Sequence, residues 1–177
     1  NNGAYLPAAI DSILAQSGVA GIEILVIDDA STEDTAAIVA PYGGQVTLHV
    51  LPANTGGAAA PRNFGFRQAR GRFIAILDSD DVMLPGKLQA QLALMKRHPD
   101  LGFCFTNFRN FSAQGDAPRD FLADHDRFHA MEKLPLGDDG FRLPAARAFE
   151  TLLVDNFIGT SGVLFRAGLV REIGFFD

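Results

Sequence analysis

The sequence predicts an α/β protein in which a mostly parallel sheet is covered by helices. Strand-like and helix-like segments alternate up to residue 108, the order that a parallel sheet needs. Two of the strand-like runs, "ILVI" and "FIAIL", are apolar throughout, as strands buried on both faces are. A third observation bears on function: two of these runs, "ILVIDD" and "FIAILDSDD", end in clustered carboxylates. Ligands of open α/β sheets bind outside the carboxyl ends of the strands.

Taken in order, "YLPAAIDSILAQ" places Leu6, Ile10, Ile13 and Leu14 at helical spacing, with Pro7 near the first turn and Gly18 beyond the end. "IEILVIDDA" is a buried strand, after which Ser31 or Thr32 caps a helix running through about Val39. "VTLHVL" reads as a strand. "NTGGAAAPRNFGFRQARG" is a Gly-rich loop entering a helix, with Pro61 in its first turn. The strand "RFIAIL" follows, then a helix from about Pro85 with Leu88, Leu92 and Met95 on one face, then the strand "LGFCFTNF". Residues 109–143 mix Gly, Pro, charge and scattered Phe, and read as an ordered excursion with one short helix. "AARAFETLLVDN" is helical and "GTSGVLFRA" strand-like.

The bulk numbers bound the function. With 177 residues, 47% of them hydrophobic, the chain suits one soluble domain with a real core. A formal charge of −6 argues against general nucleic-acid binding, which needs a basic face. Cys104 is the single cysteine, so no intrachain disulfide forms, and its apolar neighbours place it in the core of a protein suited to the cytoplasm. No stretch reaches the ~18 apolar residues of a membrane span. Peripheral association with a membrane stays open.

Asp28 and Asp29 at the first acidic strand end have a simple electrostatic reading, support of the next helix start. Asp78, Asp80 and Asp81 do not, because a helix beginning near Pro85 lies too far downstream for them to cap. Unit charges ~5 Å apart repel by roughly 3 kcal/mol at an effective dielectric of 20, so the cluster asks for a cation or for solvent. Asp-x-Asp offers hard oxygen ligands to Mg²⁺ or Mn²⁺, and Mg²⁺ commonly shares its shell between one or two carboxylates and substrate phosphates. The Gly-rich loop supplies a counterpart, since Arg62 near the helix start can grip a phosphate. His125 and His129 stand four apart but sit among charged residues, which reads as a solvated segment.

Three segments together, "ILVIDDASTEDT", "NTGGAAAPRNFGFRQARGRFIAILDSDD" with "LPGKLQAQ", and "NFIGTSGVLFRAGLVREIGFFD", resemble the family-2 glycosyltransferases of the GT-A fold. The resemblance implies a three-layer α/β/α domain over residues 1–177, with a nucleotide-sugar-binding half over 1–108 and an acceptor-side half over 109–177. It implies metal-assisted, inverting transfer from a nucleotide-diphosphate donor, usually a UDP-sugar, to a hydroxyl of a glycan, lipid-linked or protein acceptor, in the cytoplasm or at the cytoplasmic face of a membrane. Asp29 would bind the base and Arg62 the diphosphate. Asp80, with Asp78, would hold Mn²⁺ or Mg²⁺, and Asp78 would lie nearer the ribose or donor sugar. Thr160 and Ser161 would contact the acceptor.

Two departures from the family pattern carry expectations of their own. Family members open with a strand ahead of the first helix and place the general base downstream of the "GFFD" segment. This chain is therefore expected to be a fragment of a longer enzyme, inactive alone, with its catalytic base beyond Asp177. If the first strand normally lies between the two acidic strands, those should stand about 10 Å apart, twice the usual spacing. The rivals are a nucleotide-sugar-binding fragment or degenerate transferase, and a sugar nucleotidyltransferase.

Overall fold

The computed structural model describes residues 1–138 and 140–177. In chain order the first stretch comprises α1 (Leu6–Leu14), β1 (Ile24–Asp28), α2 (Thr35–Val39), β2 (Val46–Val50), α3 (Ala59–Gln68), β3 (Phe73–Ala75), α4 (Lys87–Arg97) and β4 (Phe103–Phe105). Two short hairpins follow, β5 (Phe111–Ser112) with β6 (Gly115–Asp116) and β7 (Leu134–Pro135) with β8 (Phe141–Arg142), separated by α5 (Asp126–Ala130). The chain closes with α6 (Ala145–Leu152), β9 (Val163–Arg166) and α7 (Ala167–Ile173).

The chain forms two compact units, residues 1–104 with 164–177, and residues 105–163. In the first unit β1 and β2 pair in parallel over five residues, while β9 lies in a three-stranded sheet between β3 and β4 and runs antiparallel to β3. The fold is α/β, as expected, but its parallel character rests on β1 and β2. No pairing joins β1 to β3 among the described residues. A cavity of about 1290 Å³ is lined by both, with Ile10, Ile24, Val26, Phe66, Ile74 and Leu164 in its wall.

The apolar spacing of α1 buries Leu6 and Ile10 against Ile24, Val39 and Val46. Leu14, expected on the same face, is 40% exposed because the helix ends there. The cap of α2 is Asp34, whose carboxylate accepts from the Ala37 amide at 3.0 Å, so the helix starts later than Ser31 or Thr32 would set it. At the end of α4, the Arg166 guanidinium donates to the carbonyls of Met95, Leu101 and His98, taking up acceptors that a helix C-terminus leaves open. Cys104 packs with Met95 and Leu164, and burial pushes its thiol up to about 11. No helix among the described residues is long and apolar enough to cross a membrane.

The second unit is built on Leu122, Phe128, Met131 and Phe157. Residues 160–162, expected to be extended, instead make a 3₁₀ turn before β9. Gly162 fits that turn because a Cβ there would meet the Thr106 carbonyl at 2.9 Å.

Candidate functional site

The acidic cluster sits on a turn. Strand β3 is followed by Asp78, whose carbonyl accepts from the Asp81 amide at 3.0 Å, so the chain reverses over Ser79 and Asp80. The segment beyond is pinned to the end of α1. The Met83 amide donates to Ser12 Oγ at 3.0 Å, and the buried Gln16 side chain bridges the Leu84 carbonyl and the Leu88 amide. Asn2 Nδ2 reaches Ser79 Oγ at 3.2 Å. These polar residues in and flanking the first helix hold the acidic turn in place, and sequence reading passed them over because a single Ser, Asn or Gln carries no pattern.

Arg62 and Asp78 come together. The guanidinium of Arg62, on the first turn of α3, donates to Asp78 Oδ1 at 2.7 Å, with the two side chains 24% and 41% exposed. Both residues line the cavity described above. Asp29 is placed differently: both its carboxylate oxygens accept from the Thr55 amide, at 3.1 and 3.0 Å, and Oδ2 also accepts from the Thr55 hydroxyl at 2.9 Å. Asn54 adds a bond to the Asp29 carbonyl. Asp29 thus anchors the Gly-rich loop to the end of β1, a job its position alone did not reveal. Neither Asp29 nor Asp80 lines the cavity.

Asp28 points inward and accepts from the Ser31 amide at 2.9 Å. Burial alone would raise its pKa, but the hydrogen bonds from Ser31 and Thr35 outweigh that and hold it below the ordinary carboxylate range. Between these acids and the next turn, Ala30 takes a left-handed conformation with φ at 53°.

Asp80 is exposed, and no hydrogen bond or ion pair engages its carboxylate among the described residues. Those residues hold no group of three or more His, Cys, Asp or Glu arranged to bind a metal. The chemistry of the turn, hard carboxylate oxygens, is nevertheless of the kind that Mg²⁺ or Mn²⁺ accepts. Of the two carboxylates, Asp78 spends Oδ1 on Arg62, whereas Asp80 engages no group among the described residues.

Thr160 and Ser161 belong to the second unit, half-buried on the 3₁₀ turn, whose Gly162 carbonyl accepts from the Thr106 amide at 3.2 Å. The solvated reading of the histidine segment is overturned at His125. Its Nδ1 meets Asp155 Oδ1 at 2.8 Å, with both side chains about four-fifths buried (17% and 21% exposed), because Asp155 returns to it from the end of α6.

The sheet, the Gly-rich helix start and the acidic turn are followed over most of their length by the model of the family described as Glycosyl transferase family 2, which matches residues 1–156. The chain belongs to that family. It is 43% identical over 93 residues to the succinoglycan biosynthesis protein ExoO of Rhizobium meliloti (strain 1021), covering 52% of this chain and 26% of that protein. It is 35% identical over 103 residues to the UDP-Glc:alpha-D-GlcNAc-diphosphoundecaprenol beta-1,3-glucosyltransferase WfgD of Escherichia coli, covering 58% of this chain and 40% of that one. The chain thus spans well under half the length of these curated relatives. Among solved structures, S. aureus TarS 1-349 shares the fold with a TM-score of 0.69 at 22% identity, over 97% of this chain and 46% of that one. The same TarS fragment in complex with UDP-GlcNAc gives 0.68 at 20% identity, over 97% and 44%.

Proposed function

We propose that this chain carries the donor-binding part of an inverting glycosyltransferase that takes a UDP-sugar and transfers the sugar to an acceptor hydroxyl. The observation that carries the reading is the Arg62–Asp78 contact at 2.7 Å. In such a transfer the acceptor oxygen bonds to the anomeric carbon as the bond to the diphosphate oxygen breaks, so negative charge grows on the leaving diphosphate. Arg62, held by Asp78 before the donor arrives, is oriented to meet that charge without reorganising, which is how preorganised donors lower a barrier. Asp80 and Asp78 are the residues that would hold Mn²⁺ or Mg²⁺. A bound cation supplies further neutralisation of the diphosphate. In this reading Asp29 fixes the Gly-rich loop beside the nucleotide while facing the base, and Thr160 and Ser161 serve the acceptor. The WfgD and TarS names and the TarS complex with UDP-GlcNAc support the nucleotide-sugar class.

Calorimetry with UDP tests this directly. Arg62→Ala is expected to weaken binding by about 1–3 kcal/mol, the range of a charge-assisted hydrogen bond. Asp80→Ala is expected to remove the gain in affinity that Mn²⁺ brings. Equal UDP affinity in Mn²⁺ and in EDTA would take the metal out of the mechanism, and an unchanged affinity in Arg62→Ala would take out Arg62.

A further inference from the structure

Directly after Arg62 on α3 stands Asn63, whose side chain grips the main chain of Phe176, 113 positions away. Its Nδ2 donates to the Phe176 carbonyl at 2.7 Å, and its Oδ1 accepts from the Phe176 amide at 2.9 Å. A primary amide at this reach satisfies both main-chain groups at once, as a neighbouring strand would. Aspartate cannot donate and glutamine is one methylene longer. The grip sets the side chains on either side. The Phe176 ring stacks on Phe66 with centroids 5.8 Å apart and planes 23° apart, and Phe175 lies under the Arg67 guanidinium at 4.5 Å. Phe176 also faces the Arg62 guanidinium, 5.9 Å from its ring centre. Arg62 therefore has Asp78 as its ionic partner and an aromatic ring beside it, and Asn63 fixes the second of these.

We infer that Asn63 is a positioning residue for diphosphate binding, acting on Arg62 through Phe176. The inference rests on the donor reading above. A ring beside the guanidinium limits its rotation, strips water from one side and leaves its charge for the anion. The nucleoside itself gains nothing from this arrangement, so the effect is confined to the diphosphate.

The test compares UDP with uridine in the full-length protein, using Kd values from calorimetry in Mn²⁺ for Arg62→Ala, Asn63→Ala, Phe176→Ala and the Asn63→Ala/Phe176→Ala pair. The preference for UDP over uridine should fall in Arg62→Ala by about 5-fold or more. In Asn63→Ala and in Phe176→Ala it should fall by about 2- to 5-fold, the scale of an exposed cation–π contact. The double variant should lose no more than the larger single loss, because both changes break one chain of contacts. If Asn63→Ala does not fold, Phe176→Leu carries the test, since that side chain is partly exposed and the main-chain grip remains. A preference that falls in Arg62→Ala but holds in Asn63→Ala and Phe176→Ala overturns the inference. So does an equal loss for UDP and uridine, or additive losses in the double variant. An unchanged preference in Arg62→Ala overturns the donor reading itself.

Discussion

The two units of the molecule reach order by different means. Residues 1–104 with 164–177 use elements of up to 11 residues and an aliphatic core, in which Leu6, Ile10, Ile24, Val39 and Val46 recur at the spacing of their helices and strands. Residues 105–163 use strands of two residues beside one longer helix, and a core in which phenylalanine rings join Leu122 and Met131. There Phe157 packs on Phe128 at 5.4 Å and Phe105 at 6.0 Å, and Phe121 stacks on Phe108 at 4.2 Å. Side-chain bonds hold the loops: Asn107 Oδ1 accepts from the Phe108 and Leu122 amides, and Lys133 Nζ donates to the carbonyls of Phe128, His129 and Met131. Repetition stabilises the first unit, and particular contacts the second. A lost contact in the second unit has fewer neighbours to compensate it.

The sharpest way to break that contrast is to truncate one fully buried side chain in each unit. Phe157 and Ile10 are each 1% exposed. Phe157→Ala is expected to cost about 3–5 kcal/mol and Ile10→Val about 0.5–1.5 kcal/mol. Hydrogen exchange locates the damage: Phe157→Ala should deprotect amides of residues 105–163 while the β1–β2 ladder keeps its protection, and Ile10→Val should leave residues 105–163 unchanged. Uniform loss of protection in Phe157→Ala would show a single cooperative block, and the contrast would fail.

The same difference explains what could be read in the sequence. Leu6 and Ile10, the run Ile24–Ile27, and Leu88 with Met95 follow a period of 3.6 or a continuous apolar run, and the elements they mark are found where those patterns place them. Phe105, Phe121, Phe128 and Phe157 follow no period, so the excursion over 109–143 showed composition without its hairpins. The acids of the candidate site were visible because Asp78, Asp80 and Asp81 cluster at a strand end. Their partners were not. The pairings Arg62–Asp78, Asp29–Thr55, His125–Asp155 and Asn63–Phe176 join residues 16 to 113 positions apart, and chain spacing carries no signal for such contacts.

A misfit within the regular unit sharpens the contrast further. Lys87 opens α4 with Nζ buried and without a hydrogen-bond partner among the described residues, and burial depresses its pKa to about 8 from an ordinary 10.5. The folded state holds this proton less tightly than the unfolded chain does. The Lys87 contribution to stability is therefore full above about 10.5 and is lost as pH falls through about 8. Cys104 runs oppositely: its raised pKa contributes stability below the ordinary 9 that is lost as pH rises through about 11. Comparing Lys87→Met with the parent protein cancels most of the cysteine effect. At pH 7 the variant should be more stable by about 1–3 kcal/mol, since each pKa unit is worth ~1.4 kcal/mol. That advantage should shrink as pH rises from 8 to 10. A constant difference over that range would mean the ammonium is hydrated in the folded protein.

The smallest expected effect lies at the edge of the acidic strand end, where the regular unit departs from its own rules. Ala30 holds φ at 53° directly after two anchored acids, Asp28 bound to the Ser31 amide and Asp29 bound to Thr55. A left-handed conformation costs a residue with a Cβ about 1–2 kcal/mol, while glycine adopts it freely but gains entropy in the unfolded chain worth ~0.4–1 kcal/mol. The difference favours glycine, so Ala30→Gly should stabilise the protein by about 0.5–1 kcal/mol, read as a higher urea midpoint at unchanged m. Strain of this kind persists only where its surroundings over-determine it, and here the bonds on either side do so. UDP affinity should then stay within about two-fold, because those bonds keep Asp29 and the Gly-rich loop in place after the strain is relieved. A lower midpoint would show that the turn is not strained. Weaker UDP binding at a raised midpoint would show instead that the strained residue itself orients the site.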